Sequence, residues 1–354
     1  MTIDRRSRVL VAMSGGVDSS VAAALLAEQG DEVVGATMKL WGGETDSGCC
    51  SVSDVDDARR VADQLGIDHH VFAFAEEFDE HVVAPYVDAH ARGLTPNPCI
   101  ECNRHLKFDA LVARADRLGF DAVATGHHAR VVSMADGTRR VGRGADRAKD
   151  QSYVLHMLDQ PTLARVLFPL GSMTKHEVRR RATQIGLRTA DKPDSQDVCF
   201  VSSTKGRSGF LGDRMDLHLG RLVDGDGNEV GQVAAIELVT VGQRRGLGLA
   251  GGAEHRYAVD VDLSTATVTI GTAAELRTRR TTVDRPVWAA GPHVGDVLVQ
   301  VSAHGEPRPA VLVGDDDGLA VEWANAVRRV APGQSVVFYD VDRPDTVVGG
   351  ALAT

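Results

Sequence analysis

Val9-Leu10-Val11-Ala12-Met13, then Ser14-Gly15-Gly16-Val17-Asp18-Ser19, then Val21-Ala22-Ala23-Ala24-Leu25-Leu26-Ala27-Glu28-Gln29 follow one another almost without a break. An apolar run of strand length leads into a polar glycine turn, and the turn opens a strong helix former. That succession presents backbone N–H groups, at the positive end of the helix dipole, to an anion. Gly15 and Gly16 let the main chain approach a ligand with no Cβ in the way. No lysine follows the glycines, so this is not the phosphate loop that ends in Gly-Lys-Ser/Thr. In open α/β sheets the ligand lies beyond the carboxyl ends of the strands, which is where Ser14 falls.

Working outward, residues 8 to about 190 alternate strand-like and helix-like patterns. Val9–Met13, Glu32–Met38, His70–Phe74 and Asp121–Thr125 read as strands; Ser20–Gln29, Asp54–Leu65, Arg104–Leu118 and Lys175–Ile185 read as helices. Alternation of this kind predicts a parallel sheet wrapped by helices, a Rossmann-like α/β domain. Gly126-His127 follows Ala122-Val123-Ala124-Thr125 as Ser14 follows the first strand. The texture then changes. Ser202 to Gly209 is a polar, glycine-containing linker, and Asp224-Gly225-Asp226-Gly227 and Asp315-Asp316-Asp317-Gly318 read as hairpin turns. Tyr257–Leu263 and Ala266–Ile270 alternate as strands, and from Val283 to Ala353 the pattern is strand, turn, strand. The expected division is a catalytic domain over 1–204, a small mixed domain over 205–272 and a β-barrel over 273–354.

A chain of 354 residues is too long for one ordinary core. No apolar run approaches membrane-spanning length, and Met1 to Arg8 lacks the apolar core of a signal peptide, so a cytoplasmic, membrane-free enzyme is expected. The net charge of −10 argues weakly against nucleic acid, but it describes the average field and not a local patch. Basic clusters stand at Arg139, Arg140, Arg143, Arg147 and Lys149, at Arg179 to Arg181, at Arg244-Arg245, and at Arg277, Arg279 and Arg280. Each alone suits a solvated face; together they could line a groove for phosphates.

The cysteines are Cys49, Cys50, Cys99, Cys102 and Cys199, too few and too uneven for a secreted disulfide framework. Pro96-Asn97-Pro98-Cys99-Ile100-Glu101-Cys102-Asn103 places a C-x-x-C pair ahead of a helix expected to begin near Arg104. A thiol at a helix N-terminus has its thiolate stabilised, which makes Cys102 a candidate nucleophile. Cys199 beside the polar linker can move, as a sulfur carrier must. Three readings compete: a redox-active thiol pair, which the pattern favours; an iron–sulfur cluster on Cys99, Cys102 and Cys199; and a structural zinc site, which lacks its second C-x-x-C pair. Cys49-Cys50, in a Gly/Ser-rich loop, reads as inert or regulatory.

Ser-Gly-Gly-x-Asp-Ser resembles the pyrophosphate loop (PP-loop) of enzymes that cleave ATP between the α and β phosphates. In order and spacing, Ala12 to Ser19, Pro96-Asn97-Pro98-Cys99, Cys102-Asn103, Ala124-Thr125-Gly126-His127, Lys149-Asp150-Gln151-Ser152-Tyr153, Cys199-Phe200 and Gly242-Gln243-Arg244-Arg245-Gly246-Leu247-Gly248 resemble the bacterial tRNA-specific 2-thiouridylase family over essentially the whole length. The resemblance implies replacement of the C2 oxygen of the wobble uridine of Lys, Glu and Gln tRNAs by sulfur. It implies an ATP site at Ala12, Met13, Ser14, Gly15, Gly16, Val17, Asp18, Ser19, Met38 and Gly126, with Asp18 the carboxylate for Mg²⁺ on the pyrophosphate. It implies target-base contacts at Asn97, Pro98 and Cys99, and tRNA contacts at His127, Lys149, Asp150, Gln151 and Gln334. Cys102 matches the nucleophile and Cys199 the persulfide carrier, with an alternate Cys102–Cys199 disulfide in the cycle. A cysteine desulfurase or relay protein would load the sulfur, and a monomer is expected because tRNA supplies the large interface. Two departures stand out. Cys99 replaces an aspartate found in some members, which weakens a general-base role there and strengthens the cluster reading. Ala303-His304 replaces a basic–aromatic pair in the last domain.

The residues suit that chemistry on their own terms. A uracil oxygen is a poor leaving group, and adenylation by ATP would let it depart as AMP while the loop's N–H groups neutralise pyrophosphate. A persulfide on Cys199 would attack C2 or release sulfide that does so, and Cys102 would cleave the S–S bond. Two rivals stay open: an ATP pyrophosphatase that acts on a small molecule and needs no paired thiols, and a non-enzymatic ATP-binding regulatory module.

Overall fold

A computed structural model of the chain describes residues 7–40, 52–194, 198–201, 206–249, 255–315 and 318–354. Cys49-Cys50, the first half of the linker after Cys199 (residues 202–205), and Asp316-Asp317 lie outside the described residues.

The first domain carries β1 (Arg8–Ala12), β2 (Glu32–Lys39), β3 (Asp68–Ala73), β4 (Ala122–Thr125), β5 (Ala129–Ser133), β6 (Arg139–Arg143) and β7 (Val166–Leu167). Among the described residues, five of these form one sheet in the order β3-β2-β1-β4-β7, every neighbouring pair parallel. Val9, Leu10 and Val11 are fully buried because β1 lies at the centre with helices on both faces, which explains its unbroken apolar run. The helix Val17–Glu28 buries Val21, Ala22, Ala23 and Ala24. Its small alanines let it sit close to the sheet, between the helices Val52–Leu65 and Lys175–Gln184. Strand order reverses between β1 and β4, so the turns after those two strands share one crevice.

One element breaks the expected alternation. β5 and β6 form an antiparallel hairpin after β4. Its turn is Asp136-Gly137: Asp136 Oδ1 accepts the Thr138 backbone N–H and hydroxyl, and Gly137 takes φ +83°. A reading by strand–helix alternation passes over that Asp-Gly signal.

The second domain holds β8 (Gly220–Val223), β9 (Glu229–Val233), β10 (Tyr257–Asp262) and β11 (Thr267–Gly271) in the order β10-β11-β8-β9. Its core is small: Leu222, Val233, Ile236, Leu247, Ala258, Val268 and Ile270. β12 (Arg277–Trp288), β13 (Gly295–Gln300), β14 (Arg308–Asp315), β15 (Gly318–Arg328), β16 (Ser335–Tyr339) and β17 (Val347–Ala353) then close into a barrel, β12-β15-β14-β13-β16-β17. Closure pairs every strand edge.

The barrel docks on the first domain. Val337, Tyr339 and Val347 share an apolar cluster with Ile100, Phe108, Ala129, Tyr153 and Leu155. At its rim Arg143 Nη1 donates to Asp150 at 2.7 Å, Nη2 donates to Gln300 at 2.7 Å, and the guanidinium lies 3.8 Å from the Tyr339 ring centre. Arg140 pairs with Asp340 and Arg147 with Asp345. These basic residues, expected among those lining a phosphate groove, are therefore occupied at the domain seam. Arg179 is likewise held by the Ala190 and Lys192 carbonyls and by Asp194. Among the described residues, no helix is long and apolar enough to cross a membrane.

Candidate active site

The glycine turn sits at the strand-order reversal. Gly15 takes φ +71°, and a Cβ there would run into the Asp54 backbone carbonyl. The helix that follows starts at Gly16 with no side-chain cap. Ser19 Oγ accepts the Ser14 backbone N–H at 3.1 Å, so the loop is braced from within. Gly126 closes the crevice from β4: a Cβ on it would stand 2.6 Å from Ser19 N and 2.8 Å from Asp18 C. Ala12, Met13 and Met38 are buried at the ends of β1 and β2, and the Thr37 hydroxyl donates to the Met13 carbonyl at 2.8 Å. Ala12 to Ser19, Met38 and Gly126 thus converge on one crevice.

Three residues, Lys175, His128 and Lys192, join them that a linear reading does not single out. Lys175 Nζ donates to both oxygens of Asp18, at 2.6 and 2.8 Å, and reaches Asp194 at 2.9 Å. His128 Nε2 stands 3.3 Å from Asp18. Burial pushes the Asp18 carboxyl up, and hydrogen bonds from His128 and Lys175 more than offset it, so the group stays ionised. Lys192 Nζ donates to the Gly15 carbonyl at 3.0 Å and to Asp54 and Asp57 at 2.6 and 2.7 Å. Burial lowers its pKa, but the two carboxylates raise it further, so Lys192 stays charged. Two ammonium groups therefore flank the loop. The only local signal for Lys175 is the Thr174–Glu177 capping box, which starts its helix but says nothing of what it faces.

The C-x-x-C segment differs from expectation at its helix start. The helix begins at Pro98, not near Arg104, because Asn97 Oδ1 caps the Cys99 N–H at 3.1 Å and Pro98 occupies the first turn. Cys99 is therefore in the first turn, and Cys102 begins the wider-wound stretch Cys102–Ala110 that continues it. The dipole fades beyond the first turn, so it favours a thiolate at Cys99 more than at Cys102. Cys102 is buried in an apolar cluster with Phe78, Tyr86 and Phe210, against which Phe200, the neighbour of Cys199, also packs. The Phe200 ring lies 5.5 Å from Tyr86 and 5.6 Å from Phe78. One cluster thus gathers Cys102 and the Cys199 segment. Cys102 is buried, and Cys99 and Cys199 are half-buried. Among the described residues, no three His, Cys, Asp or Glu side chains converge closely enough to hold a metal ion, so the three cysteines form no cluster cradle in this arrangement.

The expected tRNA contacts scatter in depth. Lys149 is exposed and paired with Asp194 at 2.7 Å; that hydrogen bond raises its pKa. Asp150 is 6% exposed and accepts from Arg143, Gly144 N and Ser152, so its carboxylate faces the interior. Gln151 Oε1 accepts the His128 N–H at 2.9 Å and braces the turn after Gly126. His127 is buried between Phe108 and Phe168 with Nδ1 2.7 Å from the Thr125 hydroxyl, and burial drives its pKa well below the usual imidazole value. It is the next residue, His128, that reaches the loop. Gln334 lies in a turn beside the C-x-x-C segment: Thr95 N donates to the Pro332 carbonyl at 2.7 Å, and Gly333 packs on Leu94 and Thr95.

Three family models match this chain in succession: a tRNA methyl transferase HUP domain over residues 7–203, a tRNA methyl transferase PRC-barrel domain over 208–272, and an aminomethyltransferase beta-barrel domain over 278–353. Among curated proteins, the chain is 47% identical to the tRNA-specific 2-thiouridylase MnmA of Chloroflexus aurantiacus, over 97% of each chain. It is 45% identical to that of Mycobacteroides abscessus, over 98% of this chain and 99% of the relative. It is 48% identical to that of Beutenbergia cavernae, over 95% and 92%. With identity at that level along nearly the full length, and the PP-loop and paired thiols at the positions described, the chain belongs to the tRNA-specific 2-thiouridylase family.

Proposed function

We propose that this chain is an ATP-dependent tRNA uridine 2-sulfurtransferase acting on the wobble position of Lys, Glu and Gln tRNAs. The observation that carries the reading is the pairing of two devices in one domain. A PP-loop flanked by Lys175 and Lys192 lies at the sheet's switch point, and a buried thiol, Cys102, shares its cluster with the Cys199 segment. ATP binds with its phosphates on the loop, between Ala12–Ser19, Met38 and Gly126. Asp18 is the one carboxylate on the loop itself, which suits an Mg²⁺ ion held chiefly by phosphate oxygens; bound there, the ion would neutralise charge on the departing pyrophosphate. Lys175, released from Asp18, and Lys192 serve the same charge.

The uridine C2 oxygen attacks the α-phosphate, and pyrophosphate leaves. The terminal sulfur of a Cys199 persulfide then bonds to C2, and the C2–O bond breaks to expel AMP. Cys102, as thiolate, attacks Cys199 Sγ, breaking the bond to the transferred sulfur. The product is 2-thiouridine and a Cys102–Cys199 disulfide, which an external thiol reduces. The cycle needs a reductant, which suits a reducing, cytoplasmic setting, with a cysteine desulfurase or relay protein reloading Cys199. Asn97, Pro98 and Cys99 line the approach of the base, with Gln334 beside them. Lys149 contacts the RNA, and Asp150, His127 and Gln151 hold that surface in shape from behind.

Anaerobic incubation with ATP, Mg²⁺, a sulfur source and unmodified tRNA, followed by nucleoside mass spectrometry, tests this. 2-Thiouridine is expected from the intact protein. With a desulfurase as donor, Cys199→Ser and Cys102→Ser should each abolish it while leaving adenylation of the tRNA. Full thiolation by both variants would overturn the thiol mechanism. Pyrophosphate release without thiolation of any tRNA would overturn the substrate.

A further inference from the structure

Most arginines near the barrel have a partner. Arg280 pairs with Glu322, Arg285 stands beside Asp284, and Arg279 donates to the Ala324 carbonyl. Three at the seam of the second and third domains have no carboxylate partner among the described residues, although Arg277 donates to the Ala326 carbonyl at 2.8 Å and Arg328 to that of Gly242. Arg277, Arg308 and Arg328 line a cleft of about 180 Å³ together with Tyr257, Ala273 and Leu276. Among the described residues, no carboxylate forms an ion pair with any of the three. Arg277 and Arg328 are direct cross-strand partners on β12 and β15, an arrangement in which like charges destabilise the pair. A chain with ten net negative charges has carboxylates in excess, yet none is placed here.

Arg328 is held in place: Nη2 donates to the Gly242 carbonyl, and the guanidinium lies 5.0 Å from the Tyr257 ring centre. Gly242 takes φ +88°, and a Cβ there would stand 2.9 Å from Arg328 Nε. Gln243 accepts the Thr240 N–H and donates to the Arg245 carbonyl, folding a turn that leaves Arg244 and Arg245 exposed next to that contact. The Gly242-Gln243-Arg244-Arg245 motif thus has a physical account: the glycine admits the Arg328 guanidinium, and the glutamine aims two more arginines outward.

We propose that this cleft binds phosphodiester groups of the substrate tRNA at a point remote from the wobble base. The proposal rests on the reading of the substrate as tRNA. An anion supplies the countercharge that the fold withholds. The arginines come from β12, β14, β15 and the 242–245 turn, an extended array that suits a polyanion, and no lining residue belongs to the catalytic domain.

The test uses the full-length protein and the double variant Arg277→Gln/Arg308→Gln. Arg328 is left in place because it also packs against Gly242 and Tyr257. Ligands are unmodified full-length glutamate tRNA, its isolated anticodon stem-loop, and inorganic phosphate. The variant is expected to bind full-length tRNA about tenfold more weakly near physiological salt, with the slope of log K against log salt smaller by about 1.5 to 2. Stem-loop binding and thiolation should be unchanged, and Arg277→Lys/Arg308→Lys should recover most of the loss. Unchanged tRNA affinity and slope would overturn the proposal. So would loss of phosphate binding with tRNA affinity retained, which would mark a small-anion site, or an equal loss for the stem-loop, which would place the contact in the anticodon arm. A wild-type protein that binds no tRNA at all would instead overturn the substrate reading, and this proposal with it.

Discussion

His156 makes the attachment of the barrel to the catalytic domain sensitive to acid. Its ring is 4% exposed, its Nδ1 donates to the Tyr153 carbonyl at 2.9 Å, and Gly350 of β17 packs directly on it. Burial disfavours the imidazolium and holds its pKa at about 4, against an ordinary value of 6.5. Below pH 6.5 the unfolded chain binds this proton and the folded chain does not. The stabilisation is therefore complete above 6.5 and is lost as the pH falls toward 4. With those two values, moving from about pH 7 to about pH 5 costs about 2 kcal/mol from this one group. The perturbation is His156→Asn, which keeps a donor near the Nδ1 position and cannot titrate. The assay is urea unfolding followed by the fluorescence of Trp288 and Trp323, both in the barrel. Wild type should lose about 2 kcal/mol more than the variant between the two pH values. His127 and His90, also buried with lowered pKa, contribute equally to both proteins and cancel. Equal pH dependence in the two proteins would refute the reasoning, because it would mean that His156 carries its proton in the folded state.

Three further outcomes are expected. Lys175→Met should lower the rate of pyrophosphate release by about a hundredfold, through loss of a charged donor at the phosphates, while leaving tRNA affinity unchanged; rapid-quench assays with radiolabelled ATP read this directly. Gly126→Ala puts a methyl group 2.6 Å from Ser19 N, against backbone that cannot yield cheaply. It should cost about 1–3 kcal/mol of stability and abolish ATP binding, measured by calorimetry. Arg143→Met leaves Asp150 buried without its cation, and should destabilise the protein by about 3–5 kcal/mol in urea unfolding at neutral pH.

Much of the architecture was legible along the chain. The apolar run ending at Met13, the glycine turn and the alanine-rich helix are contiguous, and their preferences agree with one another and with the sheet they enter. The closed barrel was legible for the same reason, as strands and turns repeat at short range after Val283. The cysteine helix was misplaced at its start because Arg104–Leu118 dominates the periodicity, whereas the cap at Asn97 and the proline at 98 decide where the backbone first turns. The β5–β6 hairpin was missed because a two-residue turn signal competes poorly with a long alternating pattern.

By itself, then, the sequence determined what depends on neighbours within a few residues: the glycine turn after β1, the parallel α/β domain, the barrel, and the cysteine spacing on which the proposed chemistry rests. Only the tertiary structure decided which charges meet. Lys175 and Asp18 are 157 residues apart, and Arg143 and Gln300 are also 157 apart; their pairing follows from how the sheet and the barrel pack. It also decided which of two adjacent histidines faces the loop. Past the end of β4 the backbone alternates, so His127 turns into the apolar interior and His128 reaches Asp18. The arginine clusters divide in the same way. On β6, Arg140 meets Asp340 from the barrel and Arg143 meets Asp150 of its own domain, whereas Arg277, Arg308 and Arg328 have no carboxylate partner among the described residues, a difference set by packing and invisible in a count of charges.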